Sequence, residues 1–118
     1  MLIVDDFAEL RELIGLYISS FGLESDMAEN GQVAYEKALE GKYDIILMDI
    51  QMPRLNGIDA VKKLRAQNYT KPVIALTAHT TNEDRDAYLR SGFDDFLGKP
   101  FTIDELRQVL SKFSVSLP

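Results

Sequence analysis

The chain has 118 residues, room for one domain, and its 46% hydrophobic and 27% charged residues describe a folded protein rather than a disordered one. It has no cysteine and a single histidine, which excludes disulfides, thiolate zinc sites, Cys nucleophiles and a His-based metal cluster. No apolar run approaches the roughly 20 residues of a membrane span, and a net charge of −6 without a basic stripe argues against direct contact with nucleic acid or a membrane.

Strand and helix periodicities alternate along the chain. Leu2-Ile3-Val4 is a short apolar strand stopped by Asp5-Asp6. Because strands average about five to six residues, its brevity suggests a piece cut from a longer protein. Leu10, Leu13, Ile14, Tyr17, Ile18 and Phe21 then recur at helical spacing. Asp6 with Glu9 resembles a capping box at the start of that helix, and Gly22 is its stop. Leu23 to Ala28 reads as a weak strand, punctuated by Asn30-Gly31, and Val33 to Leu39 as a short helix closed by Gly41. Tyr43 to Met48 holds the unbroken run Ile45-Ile46-Leu47-Met48, the pattern of a strand covered on both faces.

A loop from Asp49 to Gly57 follows, containing Met52-Pro53 and Asn56-Gly57. Ile58, Val61 and Leu64 mark the next helix, and Pro72 to Leu76 another buried strand. Asn82 to Ser91 is a polar helix with Ala87, Tyr88 and Leu89 as its few apolar anchors. Phe93, Phe96 and Leu97 surround a short strand before Lys99-Pro100. Thr102 with Glu105 forms a capping box, and Leu106, Val109, Leu110 and Phe113 give the last helix its apolar face.

Five successive β–α units predict an α/β fold: a doubly wound parallel sheet of five strands, in the flavodoxin-like order 2-1-3-4-5, flanked by five helices. In such sheets ligands sit beyond the carboxyl ends of the strands. Those positions hold Asp5 and Asp6, Asp49, Thr77 and Lys99. The order makes strands one and three neighbours, so three carboxylates gather within a few ångströms. At an effective dielectric of about 20, each close pair of like charges costs on the order of 4 kcal/mol. A divalent cation would offset that cost, and oxygen ligands without His or Cys select Mg²⁺, Mn²⁺ or Ca²⁺. A remaining carboxylate can act as a nucleophile toward phosphorus, with the Thr77 hydroxyl and Lys99 ammonium disposed to bind phosphoryl oxygens. These parts make a site for in-line phosphoryl transfer.

The residues resemble the receiver domain of two-component response regulators, the CheY-like family. The matching stretches are Leu2-Ile3-Val4-Asp5-Asp6, Leu47-Met48-Asp49-Ile50-Gln51-Met52-Pro53, Asn56-Gly57, Leu76-Thr77-Ala78 and Lys99-Pro100-Phe101, in order along essentially the whole chain. The resemblance implies that Asp49 accepts a phosphoryl group from a histidine kinase or a histidine phosphotransfer protein, and that the domain catalyses its own phosphorylation and slow dephosphorylation. It implies that Asp6, Asp49 and the backbone carbonyl of Gln51 ligate Mg²⁺, with Asp5 contributing directly or through water. It further implies that Thr77 and Phe96 carry the switch, and that Lys99 pairs with the phosphate ahead of a cis Lys99–Pro100 bond. A face made by the fourth helix, fifth strand and fifth helix often serves in the family as a dimer surface.

Ile74-Ala75-Leu76-Thr77-Ala78-His79, Glu83-Asp84-Arg85 and Gly92-Phe93-Asp94-Asp95-Phe96-Leu97 read most like receivers attached to hybrid sensor kinases, which places the domain in the cytoplasm, alone or as part of a membrane-bound kinase. Phe7 departs from that branch, where Asn often follows the acidic pair. Gln51 and His79 lie where side chains could flank an attacking water, and are expected to tune phosphoryl lifetime.

Three rivals are weaker. A receiver-like interaction module without phosphotransfer should lack one of Asp6, Asp49 or Lys99, and all are present. An aspartate-based phosphatase resembles an Asp-x-Asp pattern, and the second acid is replaced here by Gln51. A flavodoxin needs a Ser/Thr-rich phosphate loop where this chain has Asp5-Asp6-Phe7.

Overall fold

A computed structural model describes residues 1–52 and 55–113. The elements are β1 (Leu2–Val4), α1 (Ala8–Ser20), β2 (Asp26–Ala28), α2 (Gly31–Ala38), β3 (Ile46–Asp49), α3 (Gly57–Ala66), β4 (Val73–Thr77), α4 (Asn82–Ser91), β5 (Asp95–Gly98) and α5 (Ile103–Ser111). The strands form one parallel sheet in the order β2-β1-β3-β4-β5, as the β–α alternation requires.

The apolar strand runs split by a period of two into two separate cores. Leu2, Val4, Ile46, Met48, Val73 and Ala75 face one side, where Ala34 and Ala38 of α2, Ala60, Val61 and Leu64 of α3, and Tyr88 of α4 cover them. Ile3, Leu47, Ile74 and Leu76 face the other, against Ile14 and Ile18 of α1 and Leu106, Val109 and Leu110 of α5. Both faces of the three central strands are therefore dry, which is why their sequences read as continuous apolar runs instead of alternating ones.

Several boundaries differ from the sequence reading. Asp6 and Glu9 do not cap α1. The N-cap is Phe7, which makes no side-chain cap bond, and the Phe7 N–H instead donates to the Asp5 carboxylate at 2.9 Å. The helix starts one residue too late for Asp6 to reach its first turn. α2 begins at Gly31 rather than Val33, because the Asn30 side chain accepts the Val33 N–H at 2.9 Å and so caps the helix. β2 shrinks to Asp26–Ala28, since its sole neighbour β1 is three residues long. β3 starts at Ile46, not Tyr43. Gly22 in the left-handed conformation and the Thr102–Glu105 capping box are as expected.

Tyr43 lies before β3 with its ring buried and its hydroxyl on the Asp26 carboxylate at 2.7 Å. Burial, and then the bond to Asp26, push its pKa up to about 12. A raised tyrosine pKa favours the folded state at every pH below the unfolded value of about 10, and that advantage fades as pH climbs through the folded value. Tyr43→Phe should cost about 1 kcal/mol in urea unfolding at pH 7. The gap to the wild type should close between the unfolded and folded pKa values.

Candidate functional site

The carboxyl ends of the central strands converge on one open cleft. Asp5 follows β1, Asp49 and Thr77 end β3 and β4, and Lys99 follows β5. These four line a cavity of about 250 Å³ with Asp6, Gln51, Ala78 and His79 among its other walls. The sheet thus brings together residues spread from position 5 to position 99.

Lys99 holds the centre. Its Nζ lies 2.9 Å from Asp5 Oδ2 and 3.1 Å from Asp49 Oδ1. Asp5 and Asp49 are nearly inaccessible, at 1% and 6%, while Asp6 is exposed at the rim. Carboxylate oxygens of Asp5, Asp6 and Asp49 lie within 4.8 Å of one another. Asp5 is fixed further by the Phe7 N–H on its other oxygen and by Arg11, which donates to its backbone carbonyl at 2.7 Å.

Burial and the neighbouring Asp5 raise the Asp49 pKa, against the opposing pull of Lys99. Burial works to lower the pKa of Lys99, but its hydrogen bonds to Asp5 and Asp49 prevail and hold it above the ordinary lysine value. Lysine therefore stays charged, and the carboxylates carry more negative charge than it cancels. Three carboxylates against one ammonium leave two negative charges, the deficit a hard divalent cation would fill. The all-oxygen donor set suits Mg²⁺ on the same grounds.

Two glycines shape the wall beside Asp49. A Cβ on Gly57 would lie 2.2 Å from the Asp49 carbonyl oxygen and 3.0 Å from Ile50 Cα, so only glycine lets α3 start against the end of β3. Gly57 N–H donates to the Ile50 carbonyl at 2.9 Å, and Asn56 caps the helix through the Asp59 N–H. Gly31 is equally constrained, its Cβ position lying 2.0 Å from the Leu55 carbonyl oxygen. Met52 and Asn56 line an adjoining hollow with Asp6 and Gln51. Pro53 lies outside the described residues.

Thr77 is buried with its hydroxyl on the hydroxyl of Tyr88, at 2.8 Å. From the sequence, Tyr88 reads only as an apolar anchor of its helix. Its signal was a tyrosine inside a polar helix with few other anchors, since a buried phenol needs a partner for its O–H. Phe96 sits half-buried on β5, 6.5 Å from the Tyr88 ring and under the Arg85 guanidinium at 4.8 Å. Gln51 and His79 are exposed on the cleft walls; the His79 main chain, not its imidazole, makes the contacts with Thr77. The Lys99–Pro100 bond is cis, as expected.

The response regulator receiver domain model matches residues 1–111. The chain belongs to that family. Among curated proteins, this receiver is 39% identical over 106 residues to the response regulator ArlR of Staphylococcus saprophyticus and 41% to the transcriptional regulatory protein CusR of Escherichia coli. The match covers 90% of this chain but 48% and 47% of those proteins, so the chain spans about half the length of the curated relatives it matches. Among solved structures, the receiver domain of the Francisella response regulator 1452 superimposes with a TM-score of 0.90 at 37% identity, over 95% of this chain and 93% of that one. The receiver domain of the sensor histidine kinase PA1611 of Pseudomonas aeruginosa, described with a magnesium ion in its active-site cleft, gives 0.87 at 35% identity over the same shares. Both response regulators and the receiver domain of a sensor kinase thus resemble this receiver, and identity does not single out the hybrid branch.

The raised Asp49 pKa carries a sign. Its charged form is disfavoured in the fold, so the contribution to stability is present below the unfolded carboxylate range and lost as pH rises through the folded pKa. Asp49→Asn, without divalent cation, should therefore be more stable than wild type in urea at pH 7. The advantage should vanish when both are measured below pH of about 4.

Proposed function

We propose that this receiver is a phosphorylation-dependent signalling switch that takes a phosphoryl group from a phosphohistidine onto Asp49. One observation carries the reading: a nearly inaccessible carboxylate at the end of β3 shares an ammonium with Asp5 and lies within 4.8 Å of the carboxylates around it. No ordinary structural role requires that concentration of charge.

Asp5, Asp6, Asp49 and the backbone carbonyl of Gln51 would hold Mg²⁺, which when bound supplies two positive charges against the phosphoryl oxygens. The remaining chemistry belongs to the chain's own groups. A carboxylate oxygen of Asp49 attacks phosphorus in line; the new O–P bond forms as the P–N bond to the donor imidazole breaks, and that nitrogen leaves with the electron pair. Lys99, already 3.1 Å from Asp49, neutralises charge on the transferred group. Thr77 donates its hydroxyl to a phosphoryl oxygen. Water later attacks phosphorus, its proton passing to the phosphate that is released, and Asp49 departs as carboxylate as the O–P bond breaks. The exposed Gln51 and His79 side chains border that water's path and tune the lifetime of the acyl phosphate.

The donor is a histidine kinase or a histidine phosphotransfer protein. Output passes through Thr77 and Phe96 to the surface of α4, β5 and α5, the face on which two copies would associate. The apolar Phe96, lacking a hydroxyl, turns by packing alone. We read residues 1–118 as a single receiver unit acting in the cytoplasm; no helix among the described residues is long and apolar enough to cross a membrane. Relatives named as transcriptional regulators have about half their length outside this match. The expectation that these residues do not hold nucleic acid themselves rests on the −6 charge.

Incubated with acetyl phosphate and Mg²⁺, the wild type should be labelled and Asp49→Asn should not; robust labelling of the variant would refute Asp49 as acceptor. Asp6→Asn should weaken Mg²⁺ binding at least about tenfold by calorimetry, since even outer-shell changes cost metal sites that much. An unchanged affinity would remove Asp6 from the ligand set.

A further inference from the structure

Helix α4 is polar along its length, and Tyr88 is the one side chain it buries fully. The Tyr88 ring meets Phe93 edge-on at 6.3 Å and lies beside Phe96. Its hydroxyl is 2.8 Å from Thr77 Oγ1 and donates to the His79 carbonyl at 3.0 Å. Thr77 Oγ1 also accepts the His79 N–H at 2.9 Å and stands 3.3 Å from the same carbonyl.

Two hydroxyl protons are thus distributed over three oxygens. In one arrangement Tyr88 donates to the carbonyl and Thr77 donates to Tyr88. In the other, Tyr88 donates to Thr77 and Thr77 donates to the carbonyl. Both use the single Thr77 proton inside the triangle. A phosphoryl oxygen on Asp49 needs that same proton.

We propose that Tyr88 is a latch on Thr77: a positioning residue whose hydroxyl competes with the phosphoryl group for the Thr77 proton and passes the outcome to α4. The inference rests on the reading of Asp49 as phospho-acceptor. Release leaves the Tyr88 donor satisfied, because its proton keeps the His79 carbonyl when Thr77 turns away, and the His79 N–H that gives up Thr77 Oγ1 belongs to an exposed residue within reach of water. The two positions of Thr77 therefore differ little in satisfied hydrogen bonds, which is what a switch between close-lying states needs. With Tyr88 as its only fully buried side chain, α4 follows the phenol. The hydroxyl that Phe96 lacks on β5 is supplied here from the helix.

Tyr88→Phe keeps the ring and removes only the hydroxyl. In the unphosphorylated protein, NMR couplings of Thr77 should report one side-chain rotamer in the wild type and an average in Tyr88→Phe; identical couplings would overturn the latch. With Mg²⁺ present, beryllofluoride should bind Tyr88→Phe about 2- to 10-fold more tightly than wild type, the worth of one lost competing hydrogen bond. In a Thr77→Val background the same substitution should change affinity by nothing, which a loss of packing alone would not reproduce. Equal affinity of wild type and Tyr88→Phe would sink the latch and leave Asp49 as acceptor. Absence of saturable beryllofluoride binding by the wild type would sink the acceptor reading, and the competition with it.

Discussion

The ammonium of Lys99, shared between the carboxylates of Asp5 and Asp49, is the contact on which the rest of the molecule depends. Two nearly inaccessible carboxylates side by side would repel strongly in a medium less polarisable than water. One lysine from the far end of the chain makes their proximity tolerable, and its own burial is in turn made tolerable by them. The balance is deliberately incomplete in the physical sense that negative charge remains in excess. A site fully neutralised by protein groups would offer a cation no excess negative charge to bind, and without a cation an incoming phosphoryl group would meet only repulsion from the carboxylates. The raised Asp49 pKa reflects its burial first and the neighbouring Asp5 charge second.

Sheet geometry supplies the site. Parallel strands all end at the same edge, so the order β2-β1-β3-β4-β5 sets Asp5 beside Asp49, and Asp49 beside Thr77, through backbone hydrogen bonding alone. The dry cores on both faces keep those strands from shifting. Gly57 then allows α3 to begin against the Asp49 carbonyl, leaving the Asp49 carboxylate on the wall of the cleft. Precision at the site is inherited from packing far below it.

The side of the cleft around Thr77 is built differently. There α4 is held by Tyr88 together with half-buried contacts, while α3 buries four residues. A helix with few apolar anchors can shift at small cost, whereas one packed like α3 cannot. The hydroxyl triangle of Thr77, Tyr88 and His79 joins the loosely held helix to the rigid strand end. On the proposed reading, chemistry and response are thereby divided between the firm and the yielding halves of one pocket.

By itself the sequence determined the five β–α units, a parallel sheet flanked by helices, and the presence of Asp5, Asp6, Asp49, Thr77 and Lys99 at strand ends. Those properties follow from local periodicity and from the rule that parallel strands share one functional edge. The tertiary structure alone decided where backbone partners were in competition. Asp6 failed to cap α1 because the helix starts at Ala8 and Asp5 takes the Phe7 N–H, and β2 was cut short by the length of its one neighbour. The role of Tyr88 was also hidden, since a phenol in a polar helix reads as an anchor until the fold brings a hydroxyl from a strand 11 residues earlier within 2.8 Å. Periodicity reports which face a side chain occupies; it carries no information on which polar atom will meet it there.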